Sequence, residues 1–344
     1  MTTTDLDLIH GAVPLVNQLP GEPLPYYMAS GEGARYEKDG QLYTVVARSQ
    51  DTGGDFEAAF ILGPRGAETA AHVLTGQQRS YVVAAGSLEV WISGAGRILA
   101  QGDSFHVPPG ATLSYRFLSH MTRLFMFCAP AGALEQLLGT DTQVQAHIYQ
   151  SAAAKNLLLP SGSGAQPLEA ERDADHLPEG VEGYFLSAGS GDHRGWPDAL
   201  NTYLARGRNT GGRYFAVSTL AAPQPYIIRH FHKQHTENFI CLSGRVWLWV
   251  NGQELLLTAG DFLHAPAGTI HSFAIAAHNT QMLGMLTGDI FEPFFDVTGV
   301  AGATNVYTEG LIDPSVVIQG IKQHAELDLV VTGPPPERVR ATGI

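Results

Sequence analysis

Apolar and polar residues follow a period of two through much of this chain, in short runs bounded by glycine and proline. Leu42-Tyr43-Thr44-Val45-Val46-Ala47, Ser80-Tyr81-Val82-Val83-Ala84 and Leu88-Glu89-Val90-Trp91-Ile92 are examples. Such runs predict strands, because successive side chains of an extended backbone point to opposite faces. Val246 to Leu257 reads as a hairpin turned at Asn251-Gly252, a pair that tolerates the positive φ of a tight turn. The strand pattern starts near Leu24, and residues 1–20 read as an arm. Helical periodicity is nearly absent. It shows only between residues 133 and 177, where Ala133 to Leu138 and Ser151 to Leu159 read as short helices. Pro160-Ser161-Gly162-Ser163-Gly164-Ala165 has the composition of a flexible linker. Residues 308–344 are less patterned, and Gly333-Pro334-Pro335-Pro336 looks like an exposed end.

The strand pattern is written twice. Tyr27 to Gly33 returns as Phe185 to Gly191, Thr52-Gly53-Gly54 as Thr210-Gly211-Gly212, and Gly102 to Gly110 as Gly260 to Gly268. The offset is constant, since 189 − 31, 211 − 53 and 260 − 102 all give 158. A gapless repeat of this length is a duplication. It predicts an all-β protein of two tandem antiparallel barrels of jelly-roll type, with short helices and a linker between them. The first domain is expected over residues 1–150, the linker over 151–177 and the second domain over 178–344.

One stretch of the second copy carries candidate chemistry. In Arg229-His230-Phe231-His232-Lys233-Gln234-His235-Thr236-Glu237, two histidines are one residue apart and a glutamate lies five residues on. In a strand, His230 and His232 point into the same space. His271 follows two glycine-bounded turns later. Three imidazoles and a carboxylate suit a divalent first-row metal better than calcium or magnesium. Spread over rigid strands, they leave coordination positions open, as a catalytic metal requires. His235 should face differently and support the site from a turn. The 158-residue offset maps His230, His232, Glu237 and His271 onto His72, Leu74, Arg79 and Leu113. A lone histidine beside an arginine does not make a metal site, so one metal per chain is expected. Arg79 is expected to pair with a carboxylate inside the first barrel. His106 and His264, present in both copies, are expected to make structural hydrogen bonds.

Composition narrows the function classes. Apolar residues form 44% of the chain and charged residues 15%, enough for sizeable cores and against disorder. A net charge of −13 disfavours nucleic acid and an anionic membrane surface as partners. No apolar run is long enough to span a bilayer, and Met1 to Asp7 does not look like a signal peptide. Two cysteines, Cys128 and Cys241, in apolar runs fit buried thiols in a reducing cytoplasm. Two barrels in one chain resemble a fused dimer, which suits a monomer; exposed strand edges leave pairing into a homodimer open.

The spacing His230, His232, Glu237, Gly244 followed by Gly260, Pro266, Gly268, His271 resembles the two cupin motifs. It departs from them at Gln224, usually glycine, and at Ile275, usually asparagine. His235-Thr236-Glu237, Gly260 to Ala267, Phe291-Glu292-Pro293-Phe294-Phe295 and the repeated Ser30-Gly31-Glu32-Gly33 opening are similar to the bacterial quercetin 2,3-dioxygenases. The resemblance covers most of the chain. It implies a bicupin that opens the central ring of a flavonol with O2 and releases carbon monoxide. The metal it implies is one of Fe, Mn, Co, Ni, Cu or Zn. Family members often carry ligands in both barrels, and the first barrel here departs from that. The resemblance also gives Glu237 a second role, as the base that takes the proton of the flavonol 3-hydroxyl. An apolar wall that raises its pKa would favour that role. Strand alternation puts Tyr226 and Ile228 on the side of His230, Phe239 on that of Glu237, and Phe273 and Ile275 on that of His271. These five are the expected walls for a small aromatic substrate. The runner-up is a related cupin oxygenase, cyclase or isomerase acting on another aromatic or polyketide enol. A third reading is a non-catalytic bicupin, which the intact ligand set disfavours.

Overall fold

The computed structural model describes residues 9–139, 143–147, 175–302, 306–307, 310, 314–324 and 326–337. The segment expected as a helix at 151–159 and the glycine-serine linker lie outside these residues, as does most of 151–177. The expected helix at Ala133–Leu138 is present.

The chain forms antiparallel sheets that face one another in pairs. In the first copy a seven-stranded sheet runs from Tyr184–Leu186 through Ser104–Val107, Gln78–Ala85, Thr122–Ala129, Glu57–Gly63 and Gln41–Ala47 to Ala34–Lys38. Its companion has four strands, in the order Glu68–Val73, Thr112–Phe117, Ser87–Ile92, Ala95–Ala100. In the second copy Gln253–Thr258, Arg245–Val250, His271–Ile275, Arg229–Phe231 and Val330–Gly333 make the smaller sheet. The larger one includes Phe262–Ala265, Glu237–Ser243, Thr280–Thr287 and Tyr214–Ala221. Each pair of sheets encloses its own core, because alternate side chains turn inward. In Arg245–Val250 the buried residues are Val246, Leu248 and Val250, with Trp247 and Trp249 half-buried between them. These fill one core with Phe239, Leu257 and Ile275. Tyr81, Leu99, Phe105, Leu113 and Met126 belong to the other.

The two compact units exchange segments relative to the sequence repeats. One gathers the described chain up to Ser30, His193–Tyr203 and everything from Phe215 on; the other gathers Gly31–Asp192 and Leu204–Tyr214. The exchange caps sheet edges. Tyr26–Met28 pairs with Phe262–Ala265, and its counterpart 158 residues on, Tyr184–Leu186, pairs with Ser104–Val107. Each added strand satisfies backbone groups that an open edge would present for aggregation. The arm before Leu24 contributes too: Leu15–Val16 lies parallel to Tyr26–Tyr27, and Asn251 Nδ2 donates to the carbonyls of Ile9 and Ala12 at 2.7 and 2.8 Å.

Backbone conformation repeats with the sequence. Asn251 and Gly252 have φ of 45° and 92°, and Ser93 and Gly94 have 48° and 90°, the positive pair that a two-residue hairpin needs. Gly244 and Gly86 have φ of 77° and 78° and press against Thr280 and Thr122. The tail is more ordered than its sequence pattern suggests. It holds a helix, Pro314–Gln323, and a strand, Val330–Gly333, joined to the sheet that carries the histidine ligands. The four-residue strand is too short to show a period against the surrounding prolines and charges.

His106 shows how polar groups are housed in the first core. Its Nε2 donates to Gln78 Oε1 and its Nδ1 accepts from Ser80 Oγ, both at 3.0 Å. The matching His264 pairs with Asn238 Oδ1 at 2.8 Å, so both histidines are structural. Burial, reinforced by the charge of Arg79, pushes the His106 pKa down to about 3. The unfolded chain therefore binds a proton that the folded chain refuses. Stability from His106 is fully present above its ordinary value of 6.5 and is lost as pH falls towards about 3. His106→Gln is expected to flatten the slope of unfolding free energy against pH in that window, by up to about 1.4 kcal/mol per pH unit. Urea unfolding at several acid pH values measures it; an unchanged slope would refute the assignment.

A second test concerns the turns. Gly252 has open space where a Cβ would go, so Gly252→Ala bears only the left-handed strain, roughly 1–2 kcal/mol. At Gly244 a Cβ would also fall 2.7 Å from Thr280 Cα, which adds about 1–3 kcal/mol of overpacking. Denaturant midpoints of the two variants should rank in that order.

Candidate metal centre

His230 lies on the strand Arg229–Phe231, and His232 follows where that strand breaks into irregular backbone. Glu237 opens Glu237–Ser243 on the larger sheet, and His271 opens His271–Ile275. The register pairs His230 directly with His271. One ligand atom from each of the four residues falls in a group whose members all lie within 4.8 Å of one another. The three histidines are buried, with exposures of 5, 2 and 1% for His230, His232 and His271.

Hydrogen bonds fix the tautomers. His230 Nδ1 donates to the Ile228 carbonyl and His271 Nδ1 to the Thr269 carbonyl, each at 2.9 Å. His232 Nδ1 donates to the Asp328 carbonyl. A carbonyl only accepts, so each Nδ1 carries a proton, and Nε2 is the ring atom left to meet a metal. Two of those Nε2 atoms face a carboxylate. His271 Nε2 lies 3.0 Å from Glu237 Oε2, and His232 Nε2 lies 3.3 Å from the same oxygen without a hydrogen bond. Burial, then the neighbouring His271 and His232, hold the His230 pKa well below its ordinary value, so that ring stays neutral. Three imidazoles and a carboxylate converge here, a ligand set that fits a divalent cation.

Burial pushes the Glu237 carboxyl up, but the His232 and His271 rings outweigh it and hold it well below the usual carboxylate range. The sequence expectation of a raised pKa is therefore reversed in this geometry, because the carboxylate faces two imidazoles rather than only an apolar wall.

A cavity of about 380 Å³ opens onto His230 and Glu237, within the size range of small-molecule sites. Of the five expected wall residues, Tyr226, Ile228 and Phe273 line it. Phe239 and Ile275 instead lie in the core, 1 and 2% exposed. Alternation fixes the face of a strand, while depth along the strand decides whether that face meets cavity or core. Sequence reasoning missed Trp196 on one wall and Val317, Ile318 and Ile321 of the tail helix on another. Those three sit at i, i+1 and i+4, the spacing of one helical face, which was the available signal. Phe291, Phe294 and Phe295, singled out in the sequence, also line it.

His235 lies beside the group. Its Nδ1 meets Asp328 Oδ2 at 3.0 Å, and its ring sits 4.0 Å from that of His232. His232, His235 and Asp328 also converge closely enough to be considered as ligands. The Nδ1 atoms of both rings already bond to Asp328, so the trio reads as support for His232.

The first copy retains half of this design. His72 Nδ1 donates to the Ala70 carbonyl at 3.0 Å, as His230 does to Ile228. Arg79 Nη1 donates to His72 Nε2 at 3.0 Å. The expected carboxylate partner of Arg79 is absent among the described residues. The His72 imidazole provides the acceptor instead. Leu74 and Leu113 are in the core.

Both cysteines are free and buried. No helix of the described residues is long and apolar enough to cross a membrane.

Comparison with known proteins agrees with this architecture. Residues 217–285 match the family described as Cupin domain. The chain is 34% identical to quercetin 2,3-dioxygenase of Bacillus subtilis over 297 residues, 82% of this chain and 88% of that one. It is 30% identical to quercetin 2,3-dioxygenase of Aspergillus japonicus over 87 residues, 24% of this chain and 25% of the other. Oxalate decarboxylase from Bacillus subtilis has a similar fold, with a TM-score of 0.53 at 16% identity over 81% of this chain and 78% of that structure. The relatives are enzymes, and the homology supports a function of the dioxygenase type. Two cupin barrels, one with a degenerate ligand set, and a match along most of a curated relative lead to one conclusion: the chain belongs to the quercetin 2,3-dioxygenase family of bicupins.

Proposed function

We propose that this chain is a metal-dependent dioxygenase that opens the central ring of a flavonol with O2 and releases carbon monoxide. The observation that carries the reading is the convergence of three imidazoles and one carboxylate at the wall of an apolar cavity. His230, His232, Glu237 and His271 would hold one divalent transition metal. Such an ion, when bound, supplies Lewis acidity towards an enolate and access to O2. The other tasks belong to the protein. Tyr226, Ile228, Phe273 and the Phe291 to Phe295 segment offer flat apolar surfaces to a planar substrate and keep water away from it. Glu237 is both the acid-base group and a cavity-lining residue, with 13% of its side chain exposed against 2% for His232 and His271. Held ionised by its neighbours, it is ready to accept the proton of a substrate hydroxyl.

Metal analysis followed by oxygen uptake tests the reading. The purified chain should contain about one transition-metal ion, as the ligand count implies, and should consume O2 only when a flavonol is added. Bound metal without flavonol-dependent uptake would move the substrate to another aromatic enol. Absence of metal would remove the enzyme reading altogether. Glu237→Gln should lower turnover by about 100-fold or more while part of the metal is retained. Wild-type turnover in that variant would sink the base assignment. His271→Ala should lose the metal.

A further inference from the structure

The tail segment around Asp328 grips the same stretch of chain that bears two of the candidate ligands. The strand Val330–Gly333 runs antiparallel to Arg229–Phe231, with Val331 opposite His230 and Val330 opposite Phe231. Just before it, Asp328 is 5% exposed and fully engaged. Its Oδ1 accepts from the Lys233 N–H at 2.8 Å, and its Oδ2 accepts from the Gln234 and His235 N–H groups at 2.6 and 3.2 Å. The same Oδ2 takes His235 Nδ1 at 3.0 Å, and the Asp328 carbonyl takes His232 Nδ1. The His235, His232 and Phe291 rings pack as a triangle, His235 lying 4.0 Å from His232 and 5.2 Å from Phe291, with His232 and Phe291 4.7 Å apart.

These contacts solve a problem that the sheet leaves open. The ladder ends at Phe231, yet the chain must still present His232 and bring Glu237 round to face it. Residues 232–236 have no strand partner to take their N–H groups. Three consecutive N–H groups converging on one carboxylate make an anion nest with the anion built in. The backbone carbonyl of the same residue fixes the tautomer and rotation of His232.

We propose that Asp328 is the positioning residue of the metal centre: it sets the geometry of His232 and thereby how tightly the site holds its ion. This rests on the metal reading of His230, His232, Glu237 and His271. Asparagine cannot replace the carboxylate, because it offers one acceptor and turns an amide donor towards a backbone donor.

The test is metal affinity measured by competition with a chromophoric chelator, alongside the absorption spectrum of the Co(II)-loaded protein. Asp328→Asn should bind metal about 10–100-fold more weakly, the range for residues that orient ligands, and should show an altered Co(II) spectrum. Thr332→Val, which removes only the Thr332 hydroxyl contact to the Arg229 carbonyl, should leave both unchanged. A purely structural role would lower the melting temperature of the metal-free protein without changing the affinity or spectrum of the folded fraction, and that result would overturn the proposal. If Asp328→Asn does not fold, Asp328→Glu, which keeps the charge and displaces it by one methylene, is read in the same assays against the same outcomes. Failure of the metal reading is distinguished by the wild type: it would bind no ion and His271→Ala would change nothing.

Discussion

The site depends on a constraint applied to three side chains. Each ligand histidine gives its Nδ1 proton to a backbone carbonyl: Ile228, Asp328 and Thr269 for His230, His232 and His271. Those bonds choose the tautomer and the ring plane together. Wherever the ring is neutral, its Nε2 is then an acceptor, and all four residues bring a ligand atom to one small volume. Without a cation, that convergence is unfavourable, because buried acceptors have exchanged water for one another. The fold sustains it with rigid elements: His230 and His271 are register partners, and the Asn251-Gly252 hairpin holds the strand beside His271.

The first barrel answers the same constraint differently. His72 makes the same bond to a backbone carbonyl two residues upstream, which leaves its Nε2 free to accept. Arg79, at the position of Glu237, delivers a guanidinium N–H to that lone pair. A cation tethered to the chain takes the place of a diffusible one. Leu74 and Leu113 convert two further ligand positions into core. Arg79 is fully buried there. The two copies thus share a histidine anchored to backbone and differ in what surrounds its ring.

How much of this could be read from sequence follows from the range over which each interaction acts. The repeat, the Asn251-Gly252 turn and the four convergent residues rest on local spacing, and local spacing was enough to locate them. The exchanged edge strands Tyr26–Met28 and Tyr184–Leu186 were not foreseen, since strand pairing leaves no mark on the strand itself. Asp328 is 95 residues from Lys233 and sits in a stretch without a period. Phe239 and Ile275 were assigned to the cavity because the period of a strand resolves faces and not depth. Arg79 was given a carboxylate partner because charge suggested one, whereas its acceptor is the imidazole of His72.

The same neighbours that make Glu237 suitable as a ligand also make it a weak base. Burial is the largest influence on its carboxyl and acts upward; the His232 and His271 rings act downward and prevail. The two influences have different spatial reach. Burial comes from the whole apolar surround, while the rings act only at the 3.0 and 3.3 Å at which they meet Oε2. A carboxylate that leaned away from the rings towards the cavity would lose the downward influence first and keep the upward one. Its basicity would therefore rise with its displacement towards a substrate hydroxyl, so that ligand and base are two positions of one side chain rather than two competing demands on it. Glu237 is suited to that movement: it opens its strand, lines the cavity and is the most exposed of the group, whereas the three histidines are tied to backbone.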